Sequence, residues 1–264
     1  CFPSLAAFDG STNFPYASRS PGGQPEYVCV ATNSQPVPLR GGDWFAAVRR
    51  VAAGPYCVRA TQLLSNNIVT LAHDSRQCGT VAAPNPAVAY SGLAFHRFPV
   101  ASNAVQATFQ VTSTNGNVDL YVQRGLCLTN FALLKSGVTN YPYVSPGQFA
   151  NSNVSYYPYA STNLGTNAEL VCVVTNSIPV PLQGGDWYLV VAHRGGTAQP
   201  ISYCVRALQV LDSEVVPLAS RLPVPVLGLE PTNGVAGVGV DYFHYRAASN
   251  ADRKSTRLNS SHRT

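Results

Sequence analysis

The sequence predicts an all-β chain built from tandem antiparallel β-sandwich domains. Three observations predict it: a long internal near-repeat, short runs of period-two alternation, and a turn-rich, weakly charged composition. Only 11% of the 264 residues are charged, against 21 Gly, 20 Pro and 14 Tyr. That profile suits short strands joined by many turns and suits helices badly. No stretch approaches the ~18 unbroken apolar residues of a spanning helix, so no membrane span is expected.

The repeat is the strongest signal. "FPYASRSPGGQPEYVCVATNSQPVPLRGGDWF" (14–45) aligns without a gap to "YPYASTNLGTNAELVCVVTNSIPVPLQGGDWY" (157–188), and "YCVRA" occurs at both 56–60 and 203–207. "CFPSLAAF" (1–8) answers "CLTNFALL" (127–134), and "FHRFPVASNA" (95–104) is echoed by "YFHYRAASNA" (242–251). The period is about 145 residues, far above the roughly 20–50 of solenoid repeats, so it marks tandem domains. The expected organisation is the back of one unit at 1–63, a whole unit at 64–210 and the front of a third at 211–251. The chain contains no Met and opens on Cys1 without a leader, so it is expected to begin mid-domain, with any targeting signal upstream.

Residues 252–264 stand apart. "DRKSTRLNSSH" (252–262) is what a common sequencing adapter reads in frame, and the segment is set aside as an artefactual tail. It carries Arg253, Lys254, Arg257 and Arg263 against Asp252, so the formal charge of +5 falls to +2 without it. That residue of charge gives no electrostatic footprint for nucleic acid.

Within the whole unit, "ATFQVTS" (107–113), "NVDLYVQRG" (117–125), "ELVCVVTN" (169–176), "DWYLVVAH" (186–193) and "ISYCVRAL" (201–208) alternate with period two. Alternation marks strands with one face on a core and one in water. Val118, Leu120 and Val122 share one face; Asp119, Tyr121 and Gln123 share the other, expected to be solvated. Trp187, Leu189 and Val191 are expected to point inward, as are Trp44, Ala46 and Val48, since Arg49 marks the opposite face. In "GGDW" the glycines permit a tight corner with positive φ, the Asp accepts backbone N–H bonds, and Trp44 or Trp187 anchors the core edge.

Taken together, "NVDLYVQRG", "STNLGTNAELVCVV", "PVPLQGGDWYLVVAHRGG" and "ISYCVRA" resemble the bacterial pre-peptidase C-terminal domain. The resemblance covers the second half of the whole unit well and its front third loosely. It implies a jelly-roll-like sandwich, found in tandem on secreted proteases and other exported proteins, non-catalytic, and in some cases holding Ca²⁺. The units here are longer than usual because of an insertion between Cys127 and Asn163.

The whole unit holds Cys78, Cys127, Cys172 and Cys204; the first partial unit keeps Cys1, Cys29 and Cys57. An even count per unit implies a disulfide framework in an oxidising compartment, with three possible connectivities. Cys78–Cys204 would tie the first strand region to the last. The resemblance implies Cys127–Cys172, and hence Cys1–Cys29 in the first copy. A bridge closing about 45 residues contributes roughly 4 kcal/mol in the chain-entropy model. No C-x₂–₄-C pair favours zinc.

Chemistry is sparse. His73-Asp74-Ser75 places triad letters side by side, whereas a triad is assembled across a fold. No G-x-S-x-G, H-E-x-x-H or phosphate-cradling loop occurs, and no enzyme active site is expected. Asp119, Asp186 and Glu169 are candidate oxygen ligands for Ca²⁺, the alternative being that they bond turn N–H groups. In "NYPYVSPGQFANSNVSYYPYAS" (140–161), Tyr141, Tyr143, Tyr156 and Tyr157 form a candidate aromatic platform, the alternative being a loop covering a sheet edge. The expected function is a non-catalytic, extracellular (secreted or cell-surface) module array serving adhesion, substrate tethering or spacing. Its partners are neighbouring repeat units and extracellular polysaccharide or protein. An accessory region of a secreted hydrolase and a carbohydrate-binding module are the alternatives.

Overall fold

In a computed structural model, residues 15–17, 28–48, 54–56, 58, 60, 62–85, 90–125, 157–194, 198–218 and 242–246 are described. Strands in chain order are β1 Ile68–Thr70, β2 Arg76–Val81, β3 Leu93–Val100, β4 Ala104–Ser113, β5 Val118–Arg124 and β6 Tyr159–Ser161. There follow β7 Glu169–Val174, β8 Gly185–His193, β9 Ile201–Leu211, β10 Val215–Leu218 and β11 Tyr242–Tyr245. The fold is an all-β sandwich. One sheet runs β1-β3-β8-β5-β6 and the other β2-β9-β4-β7, with β10-β11 as a separate pair.

The order has a simple origin. The pairs β2·β9, β3·β8, β4·β7 and β5·β6 are all antiparallel and nested one inside the next. This is one long antiparallel ribbon rolled up so that alternate strand pairs fall in opposite sheets, the jelly-roll arrangement. Rolling brings β9 against β4 and β5 against β8, which completes both sheets. β1 is added at one edge, parallel to β3.

The alternation read from the sequence fills the space between the sheets. β7 and β9 alternate buried and open positions along most of their length. Trp187, Leu189 and Val191 from β8 meet Val118, Leu120 and Val122 from β5 and Phe109 from β4, all essentially inaccessible. Phe109 stacks on Trp187 at 6.2 Å, and Phe98 meets Phe109 edge-on at 6.0 Å. Each such side chain contributes about 1.5–3 kcal/mol by burial.

The two glycines before Trp187 have separate roles. Gly185 adopts φ +116°, which L side chains rarely reach. Gly184 is required sterically: a Cβ there would sit 2.6 Å from Ser102 Cα. The side chain of Asp186 does not bond the corner N–H groups; it faces Arg97 at 3.6 Å.

The first copy of the motif, at 36–44, reproduces this frame. Gly42 has φ +130°, and the peptides before Pro36 and Pro179 are both cis. Trp44 Nε1 donates to the Arg40 carbonyl at 3.0 Å, as Trp187 Nε1 does to that of Gln183 at 2.9 Å. Tyr16 and Tyr159 donate their hydroxyls to the carbonyls of Val37 and Val180, at 2.6 and 2.5 Å. Ser34 and Ser177 accept from the N–H of Ala31 and Val174, at 2.8 and 2.9 Å. Burial differs, however. Trp44 is 46% exposed, with Val48 exposed as well, so Trp44 is no core anchor here. Among the described residues, 28–48 join no sheet, and nothing stacks on Trp44 as Phe109 does on Trp187.

The third start is equally periodic. A 3₁₀ turn at Ser65–Asn67 leads into β1, and one at Asp212–Glu214 leads into β10. Ile68 pairs with Phe95 in the first case and Val215 with Tyr242 in the second, both parallel. β9 thus runs through three residues into the next such start, held by Asp212 N donating to Asn103 O at 2.8 Å.

One polar pair crosses the core. His96 Nε2 and the Tyr203 hydroxyl share a 3.0 Å hydrogen bond between the sheets, and His96 Nδ1 is buried without a partner. Burial lowers the imidazole pKa from 6.5 to about 4 and pushes the Tyr203 phenol up to about 12. An imidazolium would place a second N–H in the interior with no acceptor.

Two outcomes are expected. Gly184→Ala should lower stability by about 1–3 kcal/mol in denaturant unfolding, because the opposing group is backbone and cannot swing aside. Gly41→Ala, at the matching site where a Cβ meets nothing within 4 Å, should cost far less. Because the folded pKa of His96 lies below its unfolded value, its contribution is intact above pH 6.5 and lost as pH falls toward 4. Unfolding across that window should show the protein losing about 3 kcal/mol more than a His96→Gln variant; parallel pH profiles would refute the assignment.

Candidate functional site

The outward face of the five-stranded sheet collects most of the residues singled out by the sequence. Asp119, Tyr121 and Gln123 alternate outward along β5, and Tyr188, Val190 and Ala192 along β8. The three β5 residues were expected to be solvated, yet Asp119 and Gln123 are 2% and 3% exposed and Tyr121 is buried. The cause is a second apolar layer. Phe95, Tyr121, Tyr188, Val190 and Ala192 form their own cluster, with Leu63, Ile68, Tyr90 and Tyr157 packed on it. Period-two alternation states which side chains share a face; it does not state whether another segment lies across that face.

Tyr157 is part of this cover. Its ring meets Tyr121 edge-on at 5.7 Å, and burial raises its phenol pKa well above the ordinary value. It therefore packs down on the sheet and is not an open platform. Tyr141, Tyr143 and Tyr156 lie outside the described residues.

The three candidate calcium ligands each hold a protein partner. Asp119 pairs with Arg194 and accepts from the Tyr121 hydroxyl at 2.9 Å. Burial raises its pKa, opposed by the Arg194 guanidinium and the Tyr121 bond. Glu169, buried at the start of β7, accepts from Asn163 N–H with both oxygens at 2.9 and 3.1 Å. Its pKa is also raised by burial, against the bonds from Ser161 and Asn163. Asp186 stands half-exposed beside Arg97. Among the described residues no three His, Cys, Asp or Glu side chains gather as a metal site. A guanidinium already neutralises Asp119, so this donor set does not fit Ca²⁺.

Cys78 and Cys204 form a disulfide across β2 and β9, where they are directly opposed in register. Cys29 is also disulfide-bonded, while Cys1 and Cys127 lie outside the described residues. Cys172 carries a free thiol, exposed on the outward side of β7, with the Thr108 hydroxyl at 3.8 Å. The bridge from Cys127 to Cys172 expected from the resemblance is therefore not made in this structure.

The triad letters separate. His73 Nδ1 accepts from Gln209 N–H at 3.3 Å, and Asp74 turns to Arg206, with which it forms an ion pair. Sequence reading missed that pair and also the His96–Tyr203 bond, since only the rolled topology brings residues so distant together.

No family model matches the chain, and no curated protein matches it significantly. Among solved structures it is similar to the pre-peptidase C-terminal domain of a collagenase from Bacillus anthracis, at 11% identity and TM-score 0.31, over 53% of this chain and 93% of that one. It is also similar to PliG of Aeromonas hydrophila, a periplasmic inhibitor of g-type lysozyme, at 16% identity and TM-score 0.26, over 53% and 97%.

Proposed function

We propose that the chain is part of an extracellular array of non-catalytic β-sandwich modules that tether or space other components. The observation that carries this reading is the recurrence of the same local frame in successive copies: the Tyr-Pro-Trp corner at 28–48 and 171–191, and the 3₁₀-to-parallel-strand start at 65–70 and 212–217. A binding or spacing module gains from being repeated, through effective concentration and reach. The carboxylates that sequence reading marked are engaged by Arg194, Arg97 and a backbone N–H, which leaves them structural roles. The Cys78–Cys204 disulfide supports an oxidising compartment. Among the described residues no helix is long and apolar enough to cross a membrane.

Co-sedimentation of the chain with insoluble extracellular polysaccharide and protein matrices tests this. Retention on at least one matrix is expected, with no release of reducing ends or new amino termini. Turnover of any matrix would contradict it.

A further inference from the structure

Among the described residues nothing packs across the outward face of the four-stranded sheet, and it carries an unusual charge arrangement. Along β9, Ser202, Cys204, Arg206 and Leu208 point out, as do Gln106, Thr108, Gln110 and Thr112 along β4, all with solvent access. In register across three strands lie Arg76, Arg206 and Gln110. Two arginines directly opposite each other on neighbouring strands repel and cost stability. Among the described residues only Arg206 has a carboxylate partner, Asp74. Among the described residues Arg76 donates to one neutral acceptor, the Thr112 hydroxyl at 3.3 Å. Arg76, Arg206, Gln110, Thr112 and Cys204 line a shallow groove of about 150 Å³.

We propose that this groove binds the carboxylate of an acidic polysaccharide, a polyuronate. This rests on the reading of the unit as a non-catalytic binding module and names its ligand class. The Arg76 guanidinium presents a planar fork of donors that a carboxylate accepts in bidentate fashion. Gln110 and Thr112 offer the mixed donors and acceptors that sugar hydroxyls need. The outward positions of β2, β9, β4 and β7 hold no aromatic ring, so the face offers no stacking surface for a neutral sugar. Arg206, Gln110 and Thr112 lie on the interior strands β9 and β4, whereas Arg76 lies on β2 at the edge of the sheet, so an acidic peptide is the competing ligand that the test must separate. The Cys78–Cys204 bridge fixes the backbone pairing of β2 and β9 beneath the groove.

Affinity electrophoresis of the full chain in gels containing sodium polygalacturonate tests the proposal. Retardation is expected, weakened about tenfold by Arg76→Gln and only partly restored by Arg76→Lys. Gln110→Ala, which leaves the charge intact, should weaken it about threefold. Arg97→Gln, which removes the same charge from the opposite sheet, should leave it unchanged. Thermal unfolding of each variant verifies the fold. Equal effects of Arg76→Gln and Arg97→Gln, or equal retardation by poly-L-glutamate, would overturn the site. So would an unretarded chain. Retardation by neutral hydroxyethylcellulose alone would overturn this ligand while leaving the module reading in place.

Discussion

Everything in the sandwich depends on the pairing of its first and last long strands. β2 and β9 are matched over six residue pairs from Arg76↔Arg206 to Val81↔Ile201. In their middle Cys78 and Cys204 face each other and are covalently joined across a separation of 126 residues. In the chain-entropy model a closure of that length removes about 5 kcal/mol of conformational freedom from the unfolded chain. That contribution is comparable with the whole net stability of an ordinary domain. Because the ribbon is nested, fixing its outermost pair also limits the registers open to β3·β8, β4·β7 and β5·β6.

From that closure the two faces of each sheet acquire different fates. The inner faces meet around Trp187 and Phe109. The outer face of the five-stranded sheet is covered by aromatic side chains and keeps Asp119 buried with Arg194 as its counter-charge. The outer face of the four-stranded sheet has no such layer among the described residues. On the covered face Asp119 is engaged by Arg194 and the Tyr121 hydroxyl, whereas on the other face Arg76 meets a neutral hydroxyl. Electrostatics thus points to the second face for recognition, even though the sequence draws the eye to the first.

The inward set Trp187, Leu189, Val191 and the strands around it follow from alternation, since a one-residue slip would expose them all. Cys78–Cys204 is one of three pairings the sequence leaves open, and the β2·β9 register selects it. Burial of Asp119 and Gln123 does not follow, because their cover comes from residues such as Tyr157, Ile68 and Tyr90, remote along the chain. Glu169 reads as a calcium ligand or an acceptor of turn N–H groups; it is buried and accepts from the Asn163 N–H, the second of these. Trp44 reads as the twin of Trp187 and shares its hydrogen bond, yet burial requires a facing sheet, which a local motif cannot supply. The opposed arginines, 130 positions apart, become neighbours only once β2 lies on β9.

The claim beneath all of this is that one copy of the repeat closes on itself. Excising residues 64–211 with the Cys78–Cys204 bridge intact tests it most directly. Hydrogen exchange on the fragment should show one cooperative unit, with slow amides throughout β2, β9, β4 and β8 and a single unfolding transition. A fragment that stays unfolded until residues 1–63 or 212–251 are restored would contradict the account.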